Sequence, residues 1–231
     1  MRAMTDAGFA VVAYDLRGHG HTQGPRGHCP SFESFLDDLH RVHEAGVLRF
    51  PGLPVFLFGH SLGGMITLGY ALARGVGLRG VIVNAPALRM AYLPPAWKLV
   101  LATVFSRLLP RFSQKTGLAD ETLSNDTAFL SSLPDPALRH TEISARLGME
   151  MLTRGSKLIQ AAAGFPCPIL ITHGEADPVI ALSGSRSFFE ACGCADKTLF
   201  IAPGQLHETH NDLRRAEVIE KWVQWIAKRI A

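Results

Sequence analysis

Five short apolar runs, set apart by stretches with helical spacing, constrain this chain more than any other feature. They are residues 9–15 (FAVVAYD), 55–59 (VFLFG), 80–84 (GVIVN), 169–173 (ILITH) and 198–202 (TLFIA). Each run is nearly continuous rather than alternating, the pattern of strands covered by helices on both faces of a mostly parallel sheet. Turn-forming residues mark their margins: Pro51, Gly52 and Pro54 before the second, Pro166 and Pro168 before the fourth, Pro203 and Gly204 after the fifth. The predicted class is α/β.

Helices are predicted between the runs. Ser31 is an N-cap candidate with Glu33 in the following turn, and Phe32, Phe35, Leu36, Leu39 and Val42 share one face. Residues 65–73 follow the second run, and 216–230 close the chain with Val218, Trp222, Trp225 and Ile226 at helical spacing. From 87 to 165 the strand–helix rhythm stops. That stretch holds PPAWKLVLATVFSRLLPRF and ISARLGMEMLTRGSKLIQAAA, and is expected to be a helical cap inserted between core strands of a single domain, 1–231. Leu93, Trp97, Leu99, Val100, Leu101, Val104, Phe105, Leu108 and Leu109 are too many for one narrow stripe. Either the cap helix is fully buried, or one face packs inward while another lines an acyl pocket or meets a lipid surface.

Composition removes several classes. With 231 residues, 47% hydrophobic and 19% charged, the chain can fill a core and lacks the signature of disorder. A formal charge of +3 without a long basic block argues against nucleic-acid binding. Cys29, Cys167, Cys192 and Cys194 are too few for a disulfide framework and lack the C-x-x-C spacing, so reduced thiols and a cytoplasmic location are expected. Asp6 precedes a short apolar run with no small-residue cleavage site, unlike a signal peptide. The richest apolar stretch, 97–109, is broken by Lys98 and Arg107, short of the ~20 residues a membrane span needs.

The chemistry concentrates in Gly59-His60-Ser61-Leu62-Gly63, a G-x-S-x-G with a buried run entering and a helix leaving. That context makes it a nucleophile elbow, in which the flanking glycines are expected to relieve a turn too sharp for side chains. A serine hydroxyl needs a base, and the base an orienting acid. Asp177 follows the fourth run and His207 the fifth, both just past a strand's carboxyl end, in the order Ser…Asp…His. Glu175 is the competing acid and His210 the competing base. His19, His21, His28 and Cys29 fit no standard zinc spacing, and neither metal nor cofactor is expected.

DLRGHGHTQGPRGHCPSF, PGLPVFLFGHSLGG, HGEADPV and GQLHETH together resemble the monoacylglycerol lipase and lysophospholipase group of α/β-hydrolases, from about Gly8 onward and least across the cap. The resemblance implies Ser61 as nucleophile, Asp177 as acid, His207 as base and the Leu62 N–H as an oxyanion donor. His60 and His210 are substrate-side candidates, a surface role being the alternative for His210. Arg17 and His19 would fix the R-G-H-G loop, and Thr22 replaces the serine usual after it.

The family's first three strands, and the H-G-x-G loop that gives a second oxyanion donor, have no counterpart before Phe9. The run 9–15 and the run 55–59 are therefore expected either to border a gap of ~10 Å, two strand spacings, or to close it by pairing directly. Absence of one oxyanion donor costs about 10²–10³ in kcat. The expected function is hydrolysis of carboxylic esters of single-acyl lipids through an acyl-enzyme, with transient contact at a membrane or micelle surface. Lysophospholipase, general carboxylesterase and a non-catalytic binding protein are the alternatives.

Overall fold

The computed structural model describes residues 2–133 and 138–230. In chain order the elements are α1 (Arg2–Asp6), α2 (Phe32–Arg49), β1 (Phe56–His60), α3 (Leu62–Arg74), β2 (Gly80–Asn84), α4 (Ala96–Leu108), β3 (Ser113–Lys115), α5 (Thr127–Ser131), β4 (Glu142–Ser144), α6 (Ala145–Ala161), β5 (Ile169–Gly174), α7 (Leu182–Ala191), β6 (Lys197–Ala202) and α8 (Arg215–Ile230). The main sheet is wholly parallel in the order β1-β2-β5-β6. The two central strands, β2 and β5, are buried along their whole length, as their unbroken apolar runs require.

Alternate residues of these strands enter different cores, because successive side chains point to opposite faces. Val81, Val83, Ile169 and Ile171 join α2, α3, α6 and α7 on one side. Ile82 and Leu170 meet Val218, Trp222 and Trp225 of α8 on the other. Ser31 caps α2 as expected, its hydroxyl accepting from the Ser34 N–H.

The first predicted strand does not form. Residues 9–15 pair with nothing in the ladder, and Val12 and Tyr14 stand exposed. A strand exists only by bonding to a neighbour, and among the described residues β1 bonds to β2 alone. Direct pairing of 9–15 with β1 is thus corrected. A groove of about 380 Å³ lies there instead, lined by Tyr14, Leu16, Leu39 and Phe58 and reaching Ser61.

Between β2 and β5 the chain carries α4, β3, α5, β4 and α6. Strands β3 and β4 form a separate antiparallel ribbon, Ser113 opposite Ser144 and Lys115 opposite Glu142. The fully buried alternative for the cap helix is overturned: Ser106 is the buried residue of α4, while Trp97, Val100 and Leu108 are 61%, 63% and 74% exposed. No helix among the described residues is long and apolar enough to cross a membrane.

Candidate active site

Strand β1 delivers Ser61 into the turn before α3, where its φ is 52° and ψ −117°. That conformation is unfavourable for a residue with a Cβ. It is held by three backbone bonds: Ser61 N–H to the Asn84 carbonyl (3.0 Å), and Ala87 and Met65 N–H to the Ser61 carbonyl (3.0 Å each). Gly59 is required, since a Cβ there would lie 2.3 Å from the Gly63 carbonyl oxygen and 2.5 Å from Thr67 Oγ1. Gly63 is not: a Cβ there meets nothing within 4 Å, which corrects the expectation that both flanking glycines relieve crowding. A Cβ on Gly64, by contrast, would lie 3.0 Å from Pro86. Leu62 begins α3, so its N–H is among the donors a helix leaves without an internal partner.

Asp177 and His207 meet. The Asp177 carboxylate is fully buried and accepts from His207 Nδ1–H at 2.8 Å through Oδ2. Its other oxygen accepts the N–H groups of Val179 (2.8 Å) and Ile180 (3.0 Å). Burial alone would raise its pKa, but hydrogen bonding from His173 and His207, together with the backbone N–H, holds it well below the usual carboxylate range. Glu175, the competing acid, is exposed and accepts from the Gly204 N–H instead.

His173 was missed by sequence reasoning. It is fully buried, with Nδ1 2.8 Å from Ser185 Oγ; its Nε2–H donates to the Ile180 carbonyl at 3.0 Å and has Asp177 Oδ2 as a second, less well aligned acceptor at 3.2 Å. A histidine closing an apolar run reads as a strand end, so the pattern carried no signal for this role.

Ser61 Oγ makes no hydrogen bond among the described residues, so the structure does not join it to His207 directly. The link is through its neighbour. The His60 ring lies against His207 with centroids 4.7 Å apart, and His210 lies against His60 at 4.9 Å. Among the described residues His210 has no carboxylate partner; it packs against Phe58 and Trp222. Desolvation, then the neighbouring rings, holds His60 well below the ordinary imidazole value and brings His210 down to about 4.

The R-G-H-G loop is fixed as expected. Arg17 grips Asp38 with two bonds (2.8 and 2.7 Å), His19 Nδ1 donates to the Arg17 carbonyl, and Thr22 Oγ1 bridges the loop to the His19 and Leu16 carbonyls. His28 is committed to Ser144 Oγ and Cys29 to the core. Among the described residues no group of three or more His, Cys, Asp or Glu side chains is placed to hold a metal ion.

A parallel sheet with a strand–serine–helix turn and an Asp–His pair at its carboxyl edge is the arrangement of an α/β-hydrolase. The family profile described as serine aminopeptidase S33 (Hydrolase_4) matches residues 1–214. An abhydrolase domain-containing protein of Dictyostelium discoideum is 30% identical over 227 residues; the match takes in 97% of this chain but only 24% of that protein. The crystal structure of a monoacylglycerol lipase from Paleococcus ferrophilus superposes with a TM-score of 0.90 at 32% identity, covering 99% of this chain and 87% of that one. A soluble variant of the Saccharomyces cerevisiae monoglyceride lipase, solved with a substrate analogue, gives 0.83 at 27% identity, with 94% and 76% covered. The chain belongs to the Hydrolase_4 family of α/β-hydrolases and, within it, to the monoacylglycerol lipase group.

Proposed function

We propose that this chain hydrolyses carboxylic esters of single-acyl lipids, monoacylglycerols first among them, with Ser61, His207 and Asp177 as its triad. His207 takes the proton from Ser61 as the serine oxygen attacks the ester carbonyl. Asp177 holds the imidazole tautomer and favours the imidazolium, and the Leu62 N–H donates to the developing oxyanion. The same imidazolium returns its proton to the departing alcohol. Water, activated by His207 in turn, then cleaves the acyl-enzyme and releases the fatty acid.

The observation that carries this reading is the strained Ser61 at the head of α3 together with a buried His207–Asp177 pair after the strands of the same parallel sheet. Hydroxyl and imidazole are unbonded here, which is common before substrate binds and tightens the site. Domain 1–231 is read as one catalytic unit with 87–165 as its cap, whose exposed Trp97, Val100 and Leu108 suit contact with a lipid surface. Lysophospholipids and simple carboxylic esters fit the same chemistry.

The test is labelling by a fluorophosphonate probe alongside turnover of a monoacylglycerol and a p-nitrophenyl ester. Wild type is expected to label and to turn over both, and Ser61→Ala to do neither. Labelling that persists in Ser61→Ala removes Ser61 from its role.

A further inference from the structure

Two histidine rings, His207 and His210, lie against a third, His60, at the carboxyl edge of the sheet, and one proton must go to the right ring. His60 comes from the end of β1, His207 and His210 from the segment after β6. Their Nδ1 atoms have different partners. His207 Nδ1 faces the Asp177 carboxylate, an acceptor, at 2.8 Å. His60 Nδ1 and His210 Nδ1 both face one amide nitrogen, Asn84 Nδ2, at 3.0 and 3.2 Å.

Asn84 closes β2 and is completely buried. Its other amide atom, Oδ1, accepts the hydroxyls of Thr172 (2.8 Å) and Thr209 (2.7 Å). Trp222 Nε1–H donates to Thr172 Oγ1, and the threonine hydrogen has Asn84 Oδ1 at 2.8 Å as a nearer acceptor than the Val83 carbonyl at 3.4 Å. In this orientation the amide spends both hydrogens on the two rings and both lone pairs on the two hydroxyls. The Asn84 main-chain carbonyl also lies 3.1 Å from His60 Nδ1 and keeps one lone pair after accepting the Ser61 N–H, so it competes with the amide for that ring, whereas the amide nitrogen is the one partner of His210 Nδ1 among the described residues.

We infer that Asn84 is a positioning residue: by donating to Nδ1 of His210 it fixes that ring as the Nε2–H tautomer, and by presenting the same amide to His60 it disfavours a second imidazolium in the cluster, leaving His207 as the ring that takes the proton from Ser61. A ring whose Nδ1 must keep its lone pair for a donor is penalised on becoming imidazolium, whereas a ring facing a carboxylate gains. A second cation in van der Waals contact with the His207 imidazolium would oppose the attack step. The groups around the cluster agree with this sorting. Asp177 is its carboxylate, His173 lies beyond Asp177, and Phe58 and Trp222 present apolar rings to His210. The low positions of His60 and His210 have the same direction.

The consequence for turnover rests on the proposed triad, but the tautomers do not, and they are read first. Nitrogen NMR of the histidine side chains in the wild-type chain, assigned with His60→Gln and His210→Gln, is expected to show bare Nδ1 and protonated Nε2 for His210, and a single protonated nitrogen for His60, from pH 8 to pH 5. A protonated Nδ1 on His210 at pH 7, or a His60 imidazolium there, overturns the inference. Asn84→Asp keeps the shape and the threonine bonds but turns an acceptor toward both rings, so both are expected to gain protons between pH 5 and 8. Its ester turnover is expected to fall about tenfold below wild type at pH 7 and to recover most of that deficit at pH 9, where the extra protons leave. A deficit equal at both pH values means a structural defect and sinks the proposal. If wild type fails to label at Ser61, the esterase reading falls while the tautomers still decide the role of Asn84.

Discussion

Ser61 occupies a backbone conformation that costs of order 1–3 kcal/mol for a residue with a side chain, and the cost is met by its neighbours rather than by itself. The two flanking glycines make this concrete. Gly59→Ala drives a methyl into the Gly63 carbonyl and Thr67 and is expected to destabilise by about 1–3 kcal/mol or more. Gly63→Ala points into open space inside a helix and should be neutral or stabilising by up to about 1 kcal/mol. Urea denaturation of the two variants compares them directly. The histidines set the acid limit of the fold. His210 binds its proton near pH 4 in the folded chain and near ~6.5 unfolded. The unfolded state therefore holds more protons between those values, and stability falls as pH drops through that window. The Asp177 carboxylate, held low, adds a stabilisation present above its ordinary pKa and lost as pH falls below it. Urea midpoints measured from pH 7.5 to 4.5 should decline, and His210→Gln should flatten the decline. A profile unchanged by that substitution removes His210 as a cause.

The elements show which physics is visible in a sequence. Strands β2 and β5 were legible because burial on both faces writes a continuous apolar run, β1 and β6, only partly buried, because their apolar runs stop at turn residues, and α8 because Val218, Trp222 and Trp225 repeat at helical spacing. Helix α7 was not legible. LSGSRSFFEA is rich in serine and glycine, and the helix is held by the burial of Gly184, Ser185 and Phe188 rather than by propensity. The ribbon of β3 and β4 is three residues a side, mostly polar and exposed, and leaves no period to read. Asp177 and His207 were placed by strand ends and chain order, whereas Asn84 and His173 looked like ordinary strand residues. On α4 the apolar surplus was legible but not its exposure. Trp97→Gln with Val100→Gln is expected to leave the melting temperature unchanged while weakening binding to phospholipid vesicles about thirtyfold, at about 1 kcal/mol per side chain. Equal vesicle binding by the double variant rules out α4 as the contact.

At the scale of the molecule, the sheet order brings the ends of β1, β2, β5 and β6 to a single rim, and Ser61, Asn84, Asp177, His207 and the histidines around them sit on that rim or in the turns leaving it. The one strand the sequence suggested and the structure lacks, 9–15, shows the limit of local pattern. Its residues suit a ladder, yet strandhood belongs to a pair. The same fact has a consequence for how a preparation of this chain behaves in a tube. The outer margin of β1, with Phe58 48% exposed, offers main-chain groups and grease to any extended segment that drifts by. Concentrated samples should become cloudy or scatter light above monomer mass, and Phe58→Lys, a charge standing guard on that margin, should keep them clear.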